Sequence, residues 1–395
     1  MLHILHLGVG NFFRAHAAAY TQDTPGWQIT GVSFRSPAIR DGLAAQNYDY
    51  DLVVKDADGT VIKPITCMSD MLVASENPVA VIGTVASDRF SVITLTVTEK
   101  AYCLAPDGQL DKASTEVQAD LQGTGTTVVG TLARGLARRN SPVTVLCCDN
   151  LPDNGSKLER AVRDFATAAK LNLPDAITFP SCMVDRITPA TTDTIRTEAD
   201  DQMAVPTESF TEWVIEDRFA AGKPDWPGVQ WVDDVAPHEM RKLRMLNGAH
   251  SFLAYAGALR GYTYVHEAIA DPELRRTTQD LMREAAETLP ESVQGQAGAY
   301  ADALIKRFEN PNLHHQLRQI AMDGSQKLPI RILATLEDRG TSSSPSLKAA
   351  LDAWIAFVQA EVAANHVLDD PRAEALTAAC QSADPDTALR ALIGA

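Results

Sequence analysis

With 395 residues, 45% of them hydrophobic and 22% charged, the chain exceeds one ordinary hydrophobic core and reads as two globular domains. Its 51 acidic against 35 basic residues leave a formal net charge of −16, which excludes nucleic acid and an anionic membrane surface as partners, because both repel it, and confines any anion site to a local cluster of cations. No apolar run approaches the roughly 18 residues of a bilayer span, and the six cysteines (Cys67, Cys103, Cys147, Cys148, Cys182, Cys380) contain no C-x-x-C pair, so they read as reduced thiols of a cytoplasmic protein.

Residues 2–7 form an apolar run ending in glycines and are predicted as a strand, not a leader, since no basic segment or cleavage site accompanies them. Residues 11–22 are helix-like, and residues 27–34 return to apolar, β-branched character. Further buried strands are predicted at 90–97, FSVITLTV, and 142–148, PVTVLCC, with helices at 128–139 and 156–171. This alternation predicts an α/β protein whose N-terminal domain is a Rossmann-like doubly wound sheet. From about Pro237 the β-branched runs give way to Ala, Leu, Glu and Arg at helical spacing, so the C-terminal domain is expected to be mostly α-helical. The Gly, Pro and Asp punctuation of GKPDWPGVQWVDDVAP places the boundary there, giving domains of residues 1–235 and 236–395.

Gly8 and Gly10 in LHLGVGNFFRAH follow a strand and open a helix. In that context the first glycine makes the turn and the second lets a pyrophosphate approach backbone N–H groups. The third glycine of the usual fingerprint is replaced by Phe13, so a strand-to-helix turn using two glycines for geometry alone stands beside the dinucleotide reading. Arg14 tilts the balance toward a phosphate, which its guanidinium can pair, and Asn11 and Phe12 complete the turn as expected cofactor contacts. At the end of the second strand, Arg35 and Ser36 stand where an acidic residue would mark NAD. Arg35 either accepts the 2′-phosphate of NADP or stacks on adenine or in solvent, which leaves cofactor choice open at these residues.

The stretch APHEMRKLRMLNGAHSFLAYAGALRG reads as a helix over residues 237–259, with Leu243, Leu246, Leu253 and Gly257 facing a core and Gly261 as a stop. Lys242, Asn247 and His250 fall at i, i+5 and i+8, within an arc of about 140° at 100° per residue. Metal-free alcohol oxidation needs a base for the hydroxyl proton and donors for the developing alkoxide. Lys242 serves as that base if its pKa falls from about 10.4 toward 7 or 8, helped by Arg241 or Arg244, and Asn247 and His250 serve as the donors. The alternative is three ordinary polar residues on a wet helix face. The remaining histidines show no metal-ligand spacing, so no metal is expected.

The segments GVGNFFRAH, LTVTEKAYC, CCDNLPDNG, FPSCMVDRITP, FTEWVIEDRF, KLRMLNGAHS and IAMDGSQKLP occur in an order that resembles the mannitol dehydrogenase family of polyol-specific long-chain dehydrogenases, almost end to end. The resemblance implies a zinc-independent NAD(P)-dependent oxidoreductase, with NAD expected and NADP not excluded. It implies Lys242 as general base, Asn247 and His250 on the reacting oxygen, and Phe13 as the normal occupant of the third-glycine position. It also places Asn150 and Asp185 beside nicotinamide and substrate. A helix cap for Asn150 and an ion pair with Arg186 for Asp185 are the structural alternatives. Lys327 and Arg331 resemble substrate contacts, and two cations favour a sugar acid. The expected pair is therefore D-mannonate and D-fructuronate, with D-mannitol and D-fructose as the rival and a nonenzymatic cofactor sensor as the rival from another class. The expected assembly is a monomer or small homo-oligomer.

Overall fold

The run LHILHL is buried almost from its third residue, with Leu5 and Leu7 wholly inside, as a strand covered on both faces requires. The computed structural model describes residues 1–123, 125–340 and 343–395. It forms two compact units, Met1–Lys55 with Thr60–Ala236, and Asp56–Gly59 with Pro237–Ala395.

The strands of the first unit are β1 (Leu2–Leu7), β2 (Trp27–Ser33), β3 (Tyr50–Asp56), β4 (Gly59–Ile65), β5 (Met68–Val73), β6 (Phe90–Leu95), β7 (Val143–Cys147), β8 (Ile177–Thr178), β9 (Cys182–Asp185), β10 (Val205–Thr207), β11 (Glu212–Glu216) and β12 (Gln230–Val232). Six of them make one sheet in the order β5-β2-β1-β6-β7-β8, every pairing parallel. Counted along the sheet, that is the 3-2-1-4-5-6 order of a doubly wound dinucleotide fold, in which the chain reverses its winding between β1 and β6 and leaves a crevice at their carboxyl ends. The predicted Rossmann-like sheet is present.

The two edge strands β5 and β8 are not among the predicted strands, and two further features depart from the expected pattern. The first is a pair of small three-stranded sheets, β10-β3-β4 and β12-β11-β9. Most of their strands are short, β4 (GTVIKPI) is exposed along almost its whole length, and β3 (YDLVVKD) is broken up by charged residues, so no continuous apolar run announces them. The second is a break in the helix expected at 11–22. It divides at His16 into Asn11–Ala15 and Ala17–Gln22, where the buried imidazole Nε2 lies 3.1 Å from the Glu212 carbonyl.

The second unit is helical, as expected. Its central helix, Gly248–Leu259, is buried on nearly every side and packs against Pro272–Ala286, Leu317–Ala321 and Pro345–Ala363. A helix apolar all round belongs in the middle of its bundle. Gly257 lets the neighbours close in: a β-carbon there would lie 2.8 Å from Leu317 Cδ1 and 2.9 Å from Ala268 Cβ. Among the described residues no helix is long and apolar enough to cross a membrane.

Candidate active site

One candidate cluster lies at the carboxyl ends of β1, β6 and β7. Gly8 has φ +97°, and a β-carbon on it would sit 2.2 Å from the Thr96 carbonyl oxygen. Only glycine meets both conditions. Gly10 differs: a β-carbon there would meet nothing within 4 Å. Open space at the start of a helix, where the first N–H groups lack intrahelical acceptors, is the room an anionic phosphate needs. Phe13 fills the third-glycine position by stacking on buried His6, ring centroids 3.5 Å apart and planes 12° from parallel. His6 Nδ1 is 2.8 Å from Thr94 Oγ1 and Nε2 is 3.3 Å from the Gly8 carbonyl. Burial pushes its pKa down to about 3, so a neutral ring braces the glycine turn.

Arg14 departs from its expected role. It is 4% exposed, its Nη1 donates to the Met203 carbonyl and its Nη2 to Asn11 Oδ1, each at 2.6 Å. The guanidinium thus tethers the helix to the Met203 loop instead of facing a phosphate, because its long side chain turns inward beneath Tyr50, 5.5 Å from the ring centre. The Asn11 amide is likewise engaged, donating to Thr191 Oγ1 at 3.2 Å. Phe12 is half-buried and stacks on His16. Arg35 is exposed just beyond the end of β2, with its carbonyl held by the Ser75 hydroxyl at 2.9 Å.

Asn150 is exposed directly after β7. Its neighbour Asp149, which the sequence reading passed over, is buried and accepts a hydrogen bond from the Tyr102 hydroxyl. Both residues lay inside strand-end motifs, and that position was the signal available. Asp185 is buried at the end of β9, opposite Glu212 of β11. Arg186 sends its Nε and Nη2 to the Glu208 carbonyl at 3.1 and 2.9 Å, and its Nη1 to the Ala15 carbonyl.

A second candidate cluster is carried by the helical unit. The expected helix at 237–259 exists, but as Ala236–Arg241, a π-helical turn Lys242–Asn247, and Gly248–Leu259. The Gly248 N–H reaches back to the Leu243 carbonyl. This i→i+5 register stacks residues five apart, so Lys242 and Asn247 come closer in angle than an ideal α-helix places them. A second π-turn, Pro329–Leu333, interrupts the helix that runs from Gly324 to Arg339. Pro329 has no N–H to give the preceding turn, which accounts for the slip. The two π-turns pack together, and Arg331 Nη1 donates to Ser251 Oγ at 3.2 Å and to the Asn247 carbonyl at 3.5 Å.

Lys242 and Asn247 are half-buried, and His250 is buried. The His250 ring packs 4.7 Å from Phe308 and 5.3 Å from His315. Burial, with His315, Arg307 and Arg331 adding like charge, holds its pKa well below the ordinary range. The ring is neutral, and its Nε2 is buried without a hydrogen-bond partner. Lys327 and Arg331 sit one turn apart, both half-buried. Burial lowers the Lys327 pKa, Arg331 lowers it further, and Asp323, Asp369 and Asp370 oppose this. Of the cations expected to tune Lys242, Arg244 instead pairs with Asp338 at 2.5 Å, and Arg241 lies 4.3 Å over the Tyr300 ring. Among the described residues no group of three or more His, Cys, Asp and Glu side chains is arranged to hold a metal.

Comparison with known proteins matches both halves of the chain. The mannitol dehydrogenase Rossmann domain matches residues 2–228, and the mannitol dehydrogenase C-terminal domain matches residues 234–393. The D-mannonate oxidoreductase of Escherichia coli is 36% identical over 99% of this chain and 88% of its own. A mannitol 2-dehydrogenase of Phaeosphaeria nodorum is 36% identical over 95% of this chain and 72% of its own. The structure of Pseudomonas fluorescens mannitol 2-dehydrogenase in ternary complex with NAD and D-mannitol superposes with a TM-score of 0.83 at 32% identity, covering 100% of this chain and 91% of that one.

The two glycines of the turn separate fold from binding. Gly8→Ala should destabilise the protein by at least about 1–3 kcal/mol, the cost of the strained backbone alone, with the clash against the Thr96 carbonyl adding to it, whereas Gly10→Ala should leave the denaturation midpoint unchanged and weaken dinucleotide binding; denaturant melts with a cofactor titration check both. The buried neutral histidines set a pH dependence. His6, His250 and His315, the last pushed down to about 4, all refuse protons in the folded state, while the unfolded chain accepts them at about pH 6.5. Their contribution is present above that pH and is lost as pH falls toward 4. Unfolding at pH 5 should therefore take up protons at these sites, measurable by calorimetry in buffers of different ionisation enthalpy.

Proposed function

The chain belongs to the mannitol dehydrogenase family, and from that premise we propose that it is an NAD-dependent oxidoreductase interconverting a secondary alcohol and a ketone on an open-chain sugar acid, with D-mannonate and D-fructuronate as its pair. The observation that carries the acid is the half-buried pair Lys327 and Arg331, one turn apart, with Arg331 on the Ser251 hydroxyl and the Asn247 carbonyl and Lys327 on the Ile320 carbonyl, 3.9 Å from Asp323. Arg331 Nε is buried without a hydrogen-bond partner. Two partly desolvated cations and an unused donor are costly beside a neutral polyol, and a carboxylate offsets that cost.

The residues at the strand ends fit a dinucleotide. Gly8 makes the turn, Gly10 leaves room for the pyrophosphate, and Asn150 is exposed where the nicotinamide end of such a cofactor lies. Bound there, the cofactor supplies or accepts the hydride. Arg35, exposed beyond β2, is the position from which a 2′-phosphate would be met, and the ratio of kcat/KM for NAD and NADP measures its part. In the oxidising direction Lys242 Nζ takes the hydroxyl proton, and in the reducing direction its ammonium returns one to the new alkoxide. Asn247 and neutral His250 donate to that oxygen as charge develops on it. We assign it to the cytoplasm on its six cysteines, which form no C-x-x-C pair and of which five are buried as core filler.

Lys242→Ala should lower kcat by about 10²–10⁴-fold, the usual worth of a positioned acid–base group, with NADH affinity retained and added chelator without effect on the wild type. Turnover of mannonate and mannitol decides the substrate. Mannonate should be strongly preferred, and Lys327→Ala should cut its kcat/KM by about 10–100-fold, the loss of a charge-assisted hydrogen bond, while barely changing mannitol. Activity on mannitol with none on any sugar acid would overturn the assignment.

A further inference from the structure

The strands beside the crevice end in two lips. The first, after β6, continues to the short 3₁₀ turn Glu99–Tyr102. The second, after β7, runs Cys148-Asp149-Asn150 and carries the exposed Asn150. A buried polar chain joins them. The Tyr102 hydroxyl, on a side chain 1% exposed, donates to Asp149 Oδ2. Asp149 Oδ1 accepts from the Leu151 N–H at 3.1 Å, and its carbonyl accepts from Asn154 Nδ2 at 3.4 Å. Asn154, wholly buried, also exchanges hydrogen bonds with Cys182 at 2.9 and 3.0 Å, and Thr96 Oγ1 donates to the Cys148 carbonyl at 3.2 Å. A carboxylate is an expensive group to bury for structure alone, since an apolar pair of the same shape would be at least as stable there. What such a pair adds is a fixed geometry for the residues next to it.

We propose that Tyr102 and Asp149 are positioning residues for the cofactor, a strut between the two lips that fixes Asn150 for the nicotinamide end and loosens in mildly acid solution. This rests on the reading of the strand-end crevice as the NAD site. The groups facing the Asp149 carboxyl are Tyr102 and Glu99 from the first lip, Asn154 from the following helix, and the thiols of Cys147 and Cys148 on its own strand. Burial pushes both thiols and the phenol well above their ordinary ranges, so all three stay neutral near pH 7. Burial also pushes the Asp149 carboxyl up to about 6, against the lowering effect of the Tyr102 hydrogen bond. Protonation replaces a charge-assisted bond by a weaker neutral one, and this happens just below neutrality.

The test is NADH binding by the full chain from pH 5 to 8, read by tryptophan fluorescence, for the wild type, Tyr102→Phe and Asp149→Asn, with melting temperatures and the sugar-substrate KM alongside. The wild type should bind with constant affinity above pH 7 and several-fold more weakly at pH 5. Tyr102→Phe should bind about tenfold more weakly at pH 7, and its acid limb should move toward higher pH, because the lost donor was holding the carboxyl down. Asp149→Asn should lose the acid limb altogether, and in both variants NADH affinity should fall by a larger factor than KM for the sugar rises. A folded Tyr102→Phe with wild-type affinity and an unmoved limb overturns the strut. If that variant does not fold, an acid limb that persists unchanged in Asp149→Asn overturns it. A wild type that binds NADH at no pH overturns the cofactor reading and the strut with it, whereas intact binding without an acid limb removes the strut alone.

Discussion

The carbonyl oxygen of Thr96 lies where a β-carbon on residue 8 would have to be, and that single close approach organises the nucleotide-binding unit. It brings the ends of β1 and β6 together at the one place where the winding of the sheet reverses. It demands glycine at a left-handed backbone, turns the chain sharply into a helix, and leaves Gly10 facing open space. The residues around it serve this turn. His6 is buried in a strand whose other buried side chains, Ile4, Leu5 and Leu7, are aliphatic, and it is there to hold the Gly8 carbonyl while Phe13 stacks on its ring. An aromatic pair thus takes the place of the third glycine, and the contact between helix and strand is made through stacked rings.

The helical unit solves a different problem, which is to hold some of its cations on carboxylates while keeping Arg331 charged and off them at a half-buried surface. Arg244 is matched by Asp338, and Arg318 by Glu361. Arg331 is held by a hydroxyl and a carbonyl, which orient the guanidinium without cancelling its charge. His250, packed among Phe308 and His315 and facing Arg307 and Arg331, cannot take a proton near neutrality and remains a donor. Both segments that carry these groups contain a π-turn. Such a turn costs helix stability and persists where it re-aims side chains, here Lys242 and Asn247 on one helix and Arg331 on the other.

Much of this was legible in order along the chain. The strands at residues 2–7, 27–34, 90–97 and 142–148 are continuous apolar runs, and burial on both faces of a parallel sheet writes that pattern directly. Gly8 and Gly10 stand out because they break the strand-to-helix pattern at a turn, whereas Lys242, Asn247 and His250 fit an ordinary wet helix face by spacing and are singled out by the family resemblance. Arg14 shows the limit. Its position in the first turn pointed to a phosphate, yet a side chain that long reaches either outward or inward, and here the Met203 carbonyl and Asn11 hold it inside.

The fold class, the glycine turn and the helical character around Lys242 are written along the chain, because each depends on contacts within a few residues or on a burial pattern that repeats. The direction of Arg14, the stacking of His6 on Phe13, the meeting of Tyr102 with Asp149 and the packing of the two π-turns emerge from the folded chain alone. Those contacts join residues that are far apart in the chain or depend on the phase of a helix. A one-residue slip in hydrogen-bond register redirects every side chain within the slip, and a single sequence does not record which carbonyl an N–H has reached.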